Sequence, residues 1–274
     1  MLVILLATYN SEKYIREQID SIISQTYKNW KLIVRDDLSS DNTVAIIKDY
    51  INRYPDKILF LDNQGKSKRA YLNFVELLKN VDSDYYMFCD HDDVWLPQKI
   101  ELSINRMKEV EKPDTPVIVH TDMKVVDEKL NIIHPSFWKF SNLLPEHTSF
   151  VEMVLCNSAN GCTMLFNNKA KEVSLQNVAY AKMHDILLNQ SVSANGGIIS
   201  PIYEPTVLYR QHSDNVVGAQ KRSPKFYLNK MVNIKALLKD NWYTWKQACH
   251  IKKIPFYMYM CTKIKIMILK LLAK

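Results

Sequence analysis

An α/β fold, with a mostly parallel mixed sheet flanked by helices and a C-terminal basic helical tail, is what the sequence predicts. Three observations carry this. In the first half, short apolar runs alternate with stretches whose apolar residues recur at helical spacing, as parallel strands joined by crossover helices require. Polar and acidic residues cluster where those apolar runs end, the place at which open α/β sheets hold ligands. Charge also segregates: from Ala219 to Lys274 there are 13 Lys/Arg and one acid, Asp240, a surplus of +12, whereas residues 1–218 carry −5 of the total +7.

Taken in order, Leu2–Ala7 reads as a buried first strand. It has no basic flank and runs directly into Thr8-Tyr9-Asn10, so it is too short for a signal peptide. Trp30–Arg35, Ile58–Leu61 and Tyr85–Phe88 read as further strands. Glu12–Gln25, Asp41–Tyr54 and Ala70–Asn80 read as helices, the first from Ile15, Ile19, Ile22 and Ile23. Asp41 is the expected N-cap of the second, and Pro97 opens a helix over Pro97–Val110. Val117–His120 and Met123–Val126 follow as two short strands. Asn131–His147 loses periodicity and is expected to be a loop over a site. A strand at Cys162–Phe166, a helix around Ala181–Val192, a strand near Glu204–Tyr209 and a tail of two or three helices complete the prediction.

With 274 residues, 47% apolar and 24% charged, the chain has material for one large core or one catalytic domain with a small appendage. Its five cysteines form no C-x-x-C pair and no zinc-spaced cluster, and their odd number argues against a closed disulfide framework, so a reducing cytoplasm is expected. The segregated charge does not suit a nucleic-acid binder, which would spread basic residues over its binding face. A basic, aromatic-rich segment on an acidic body points to an anionic membrane surface, with a solvated basic helix or a contact with a second subunit as competing readings. Ile254–Lys274 is interrupted by Lys263, Lys265 and Lys270 and is a poor spanning segment. Lys263, Lys270 and Lys274 share a helical face, and Phe256, Tyr257 and Tyr259 supply interfacial aromatics. The segment is expected to lie on a bilayer with its lysines snorkelling to headgroups, Met258, Met260 and Met267 belonging to its apolar face.

The chemistry concentrates in Asp90-His91-Asp92-Asp93. Three carboxylates within four residues, directly after an apolar strand, repel one another unless a counter-ion is present, and oxygen ligands suit Mg²⁺ or Mn²⁺. An acidic turn capping the next helix is the alternative. Asp36-Asp37 either accepts hydrogen bonds from a nucleobase or forms a turn, and Thr8-Tyr9-Asn10 either flanks a base or ends a strand. Asp185 is placed to take a proton from an attacking hydroxyl, or caps the helix after it. His212 is a metal or diphosphate ligand or a loop histidine. Arg210 suits bidentate phosphate pairing, and Lys66, Lys68 and Arg69 form a second phosphate contact or a solvated loop. The five glycines include none before Gly65 and no G-x-G-x-x-G, which excludes a dinucleotide-binding enzyme and disfavours a nucleotidyltransferase with a glycine-rich phosphate loop.

Over roughly residues 1–220 the chain resembles family 2 glycosyltransferases of the Rossmann-like GT-A fold. The resemblance rests on Thr8-Tyr9-Asn10 with Gln25-Thr26-Tyr27, on the run from Val34 to Thr43, and on Asp90-His91-Asp92-Asp93-Val94-Trp95. More narrowly, the runs 160–166, Met183-His184-Asp185 and 209–218 resemble the bacterial rhamnosyltransferase branch, which builds cell-wall and capsular polysaccharides. Leu38 stands where the family usually has Gly, and His91 where the branch usually has Gln. The resemblance implies a catalytic domain over 1–218, with a nucleotide-sugar half (1–115) and an acceptor half (116–218), followed by the 219–274 segment. It implies that Ala7, Thr8, Tyr9, Asn10, Asp36, Asp37, Lys68, Asp90, His91, Asp92 and Arg210 bind the donor. Asp90, Asp92, Asp93 and His212 would hold Mg²⁺ or Mn²⁺, and Trp95, Gly161, Cys162 and His184 would line the pocket. Asp185 would be the catalytic base of an inverting transfer from a nucleotide sugar, dTDP-rhamnose, to a lipid-linked saccharide at the inner face of the plasma membrane.

Overall fold

The computed structural model describes residues 1–62, 70–180, 183–213, 218–219 and 234–272. Lys66, Lys68, Arg69, Asp214–Val217 and Lys274 lie outside the described residues. The first four strands are β1 (Leu2–Thr8), β2 (Trp30–Asp36), β3 (Ile58–Phe60) and β4 (Tyr85–Cys89). All four are parallel, in the order β3-β2-β1-β4. The intervening helices are α1 (Ile15–Ile23), α2 (Thr43–Arg53) and α3 (Ala70–Asn80). On β1, Leu2, Ile4 and Leu6 enter one core and Val3, Leu5 and Ala7 the other. Burial on both faces is why the strand reads as an unbroken apolar run.

The second half extends this sheet. A short strand, β5 (Val94–Trp95), precedes α4 (Lys99–Val110), and β6 (Val117–Val126) leads to β7 (Ile132–His134). The helices α5 (Phe137–Phe140) and α6 (Phe150–Leu155), a 3₁₀ turn at Gly161–Thr163, β8 (Met164–Asn167), α7 (Asn168–Leu175), α8 (His184–Ala194) and β9 (Ile198–Arg210) follow. The order continues β4-β8-β6-β9-β5, with β7 on the outer part of β6. Antiparallel pairing of β5 with β9, Val94 opposite Leu208, brings the acidic loop beside the end of β9.

Three expectations are corrected. Val117–His120 and Met123–Val126 are one strand, because the polar residues between them are buried and paired: Thr121 Oγ1 lies 2.6 Å from Thr206 Oγ1, and Asp122 accepts hydrogen bonds from Met123 N, Ser136 Oγ and Trp138 N. Asn131–His147 is not structureless; those Asp122 bonds pin α5, and Trp138 Nε1 donates to Ser158 O at 3.0 Å. The strand expected at Cys162 begins at Met164, after the 3₁₀ turn.

The tail forms α9 (Ile234–Ile251) and α10 (Phe256–Leu272). They pack on α6 through a small third core of Phe150, Val151, Ala248, Ile254 and Tyr259. The lysine face expected to point at headgroups is turned inward instead: Lys270 is only 6% exposed and Lys263 donates to Asn241, a buried residue of α9. Among the described residues, no helix is long and apolar enough to cross a membrane.

Candidate active site

The carboxyl ends of β1 and β2 meet in a knitted turn. Asp36 accepts from Thr8 Oγ1 (2.9 Å), Ser39 N (2.7 Å) and Ser39 Oγ (2.5 Å), and is 3% exposed, so its carboxylate holds the turn. Asp37 N donates to Thr8 O at 2.9 Å, and the Asp37 carboxylate lies 3.9 Å from Arg35 Nη1. Asn10 and Leu38 both have left-handed backbone, φ 46° and 64°. Asn10 tolerates this and ties the two strand ends together, its Oδ1 accepting from Ser40 N at 2.9 Å. Leu38 has no such excuse: the turn keeps a conformation suited to glycine and strains the leucine, whose side chain is left 54% exposed. Ala7 is buried, whereas Tyr9 is 44% exposed at the cleft.

After β4 the chain delivers the acidic loop. Gln25 and Thr26 support it from below: Gln25 Nε2 donates to Leu96 O (2.9 Å), Gln25 Oε1 accepts from Ile100 N (3.1 Å), and Thr26 N donates to Pro97 O (2.9 Å). Burial, then the neighbouring Asp92 and Asp185, push the Asp90 carboxyl up to about 7. Burial and Asp92 push Asp93 well above the ordinary carboxylate range. Asp93 Oδ1 accepts from Arg210 N at 3.1 Å, while its Oδ2 is buried without a hydrogen-bond partner. His212 Nε2 lies 2.9 Å from Asp92 Oδ2. Ligand atoms of Asp90, Asp93 and Cys162 lie within 4.8 Å of one another.

These observations fit a hard divalent cation. Carboxylate oxygens outnumber the Cys162 thiol, His212 lies against Asp92, and an orphaned carboxylate oxygen and two raised carboxyl groups are what a cation would relieve. Lys99, on the first turn of α4, supplies part of that relief from behind. It is fully buried with an unpartnered Nζ over the Trp95 ring, and burial lowers it to about 8.

Asp185 stands in the first turn of α8, 6% exposed, and burial raises it to about 6. Its Oδ1 accepts from Ile186 N (2.7 Å), but the N-cap of the helix is Met183, so Asp185 does not cap it as the alternative reading expected. Its Oδ2 accepts from Asn157 Nδ2 (3.2 Å), and Asn157 Oδ1 in turn accepts from Asn189 Nδ2 (2.7 Å), one helical turn beyond Asp185. Asn157 and Asn189, bonded in series to Asp185, and Lys99, buried beside Asp93, join the candidate site without having been singled out in the sequence. Asn189 at i+4 from Asp185, and Lys99 on the same stripe as Ser103 and Met107, were the signals available.

Several expected site residues play other parts. Trp95, Gly161, Cys162 and His184 are buried, and Cys162 Sγ is the thiol within 4.8 Å of the Asp90 and Asp93 carboxylates. The His184 ring lies 4.1 Å from the Phe74 ring, tilted, and 4.7 Å from that of Phe88, edge-on, and a Cβ at Gly161 would sit 2.3 Å from its Nε2, so only glycine admits the imidazole. His91 is half-buried, and desolvation lowers its basicity. Arg210, expected on phosphate, has its guanidinium turned to the protein: Nε donates to Asp92 O (2.8 Å), Nη1 to Glu128 O (2.6 Å), and Nη2 pairs with Glu17. It clamps the acidic loop to α1 and to the turn after β6.

The model of the Glycosyl transferase family 2 matches residues 3–170. The chain is therefore a member of glycosyltransferase family 2, with the GT-A fold. It is 31% identical over 226 residues to the dTDP-rhamnosyl transferase RfbG of Shigella flexneri, covering 78% of this chain and 74% of that one. It is 35% identical over 105 residues to the Escherichia coli UDP-Glc:alpha-D-GlcNAc-diphosphoundecaprenol beta-1,3-glucosyltransferase WfgD, but spans only 40% of that relative's length and 38% of its own. Among solved structures, S. aureus TarS 1-349 in complex with UDP-GlcNAc aligns over 99% of this chain and 72% of its own, with a TM-score of 0.63 and 16% identity. The mannosyltransferase PcManGT from Pyrobaculum calidifontis, in complex with GDP-Man and Mn2+, aligns over 99% and 73% with a TM-score of 0.60 and 13% identity.

Proposed function

We propose that this glycosyltransferase moves L-rhamnose from dTDP-rhamnose, with inversion, onto a lipid-linked saccharide during bacterial surface-polysaccharide synthesis. The observation that carries the proposal is the placement of Asp185, buried in the first turn of α8 with its carboxyl raised by that burial to about 6, near enough to Asp90 to help push that carboxyl up to about 7. Tyr9, Asn10 and Asp37 form the rim that receives the base. Asp36 and Arg210 position that rim and the acidic loop without touching the donor. Asp92 and His212, with Asp90 and Asp93 beside them, are the residues that would hold Mg²⁺ or Mn²⁺. When bound, the cation supplies neutralisation of the charge that develops on the leaving diphosphate. Asp185, ionised and oriented by Asn157, accepts the proton of the acceptor hydroxyl as that oxygen attacks the anomeric carbon from the face opposite the nucleotide.

The rhamnose assignment draws support from the RfbG relative and from the Tyr209-Arg210-Gln211-His212 run; the WfgD relative favours a UDP-hexose as the second reading. The lipid-linked acceptor draws on the same relative and on the basic tail, which suits work at the cytoplasmic face of an anionic membrane. A panel of nucleotide sugars with Mg²⁺ or Mn²⁺, read as release of nucleoside diphosphate, tests the proposal. Turnover of dTDP-rhamnose above UDP- and GDP-sugars is expected, and turnover confined to a UDP-sugar would replace the donor.

A further inference from the structure

We infer that the outward face of α10 is an insertion ridge that seats the enzyme on an anionic lipid surface, an inference that deepens the membrane reading above and rests on it. Tyr257, Ile264, Ile268, Leu271 and Leu272 are 72%, 54%, 50%, 44% and 74% exposed. Their spacing gathers them on one side of the helix. The only charged residue exposed on α10 among the described residues is Lys265, because Lys270 is buried and Lys263 leans onto Asn241. The helix thus turns Lys263 and Lys270 toward the body and its aliphatic residues toward solvent, the reverse of a water-facing amphipathic helix. A contiguous apolar stripe of this kind marks a surface that something covers.

What surrounds the stripe selects the occupant. On α9, Trp242 and Tyr243 are 53% and 51% exposed, and the Trp242 ring lies 5.3 Å from that of Phe256, so the aromatic surface runs on from the ridge. Lys246, Lys252 and Lys253 are exposed beside it. Amphipathic rings next to an aliphatic ridge, ringed by basic groups, match the layering of a bilayer interface: acyl chains, then headgroup level, then phosphate. A second copy would bring the same +12 segment against itself, whereas anionic headgroups complement it. The ridge is also joined to the acceptor half. Asn142 Nδ2 donates to Lys270 O at 2.8 Å, and Lys265 pairs with Glu152 at 3.3 Å. Seating the ridge therefore turns the segment after β7 toward the membrane, where a lipid-linked saccharide would present its hydroxyl.

The test is cosedimentation of the full chain with phosphatidylglycerol–phosphatidylethanolamine vesicles and, separately, with phosphatidylcholine vesicles. The triple variant Ile264→Ser, Ile268→Ser, Leu272→Ser changes only exposed side chains; circular dichroism checks its fold. Its partitioning onto anionic vesicles is expected to weaken on the order of a hundredfold, since each change removes several inserted carbon groups. Lys246→Glu with Lys253→Glu is expected to weaken binding at low salt and to matter little at high salt. Wild-type protein that stays in the supernatant with anionic vesicles overturns the inference, as does a triple variant that sediments like wild type. A solution dimer dissolved by the triple variant, without vesicle binding, assigns the ridge to a second copy instead. Donor turnover measured without vesicles fails only if the enzymatic reading is wrong, so the two failures are distinguishable.

Discussion

The cleft and the tail break the usual inside-out arrangement of a protein in opposite senses. At the cleft, Asp90, Asp93, Asp185 and Lys99 bring ionisable groups into the interior; on α10, Ile264, Ile268 and Leu272 bring aliphatic groups to the surface. Neither arrangement serves stability. Buried carboxylates cost free energy until a cation joins them, and exposed leucines cost it until an apolar phase does. The two regions teach the same lesson from opposite chemistry: on the reading proposed above, each is finished by a partner, a cation at the cleft and a lipid surface at the tail.

The largest effect should come from breaking the cleft at its base. Asp185→Asn is expected to lower turnover by roughly 10²–10⁴ while nucleotide affinity stays near wild type. Steady-state kinetics paired with nucleotide titration checks this, and equal loss of both would make Asp185 a structural residue. Next comes the clamp. Arg210→Lys abandons the fork that spans Asp92 O, Glu128 O and Glu17, at a cost on the order of 3 kcal/mol in a urea unfolding series. Donor KM should rise with it, because the acidic loop loses its tether.

The pH dependence sharpens the comparison further, because burial shifts two carboxyl groups of the cleft toward neutrality. Burial raises Asp90 to about 7 and Asp185 to about 6. A carboxyl group whose pKa is higher folded than unfolded favours the fold while protonated, so its contribution is present at acid pH and lost as pH rises through those values. Thermal stability without cation should therefore decline between mildly acidic and neutral pH, and Mn²⁺ should restore it more strongly at the neutral end. Turnover should run the other way, falling as pH drops below about 6 and Asp185 takes up its proton. The smallest effect is at Leu38. Relieving its left-handed backbone with Leu38→Gly should add about 1 kcal/mol of stability by the same urea series, offset in part by the added freedom of the unfolded chain.

The parallel half was legible because doubly buried strands write themselves as continuous apolar runs and their helices as periodic ones. The acidic loop, the knitted turn at Asp36 and the first-turn position of Asp185 were legible for a related reason: each sits where one element ends. What stayed hidden depends on partners distant in sequence. Thr121 and Asp122 look like a strand break until β9 and α5 bury them. Arg210 looks like a phosphate ligand until Glu17 and Glu128 are beside it. Trp95 and His184 read as pocket residues, yet packing against Lys99 and against Phe74 and Phe88 takes them into the core. In the tail, Lys263 and Lys270 share the side of α10 that looks inward, a direction that Asn241 and the third core decide and periodicity does not.

The most direct test of the account is calorimetric titration of dTDP into wild-type protein and into Asp92→Ala, each with Mn²⁺ and with chelator. Wild type should bind tightly with Mn²⁺ and much more weakly with chelator, while Asp92→Ala should bind weakly in both. Equal affinity in all four titrations would contradict the claim that the buried carboxylates of the cleft are completed by a cation that the nucleotide shares.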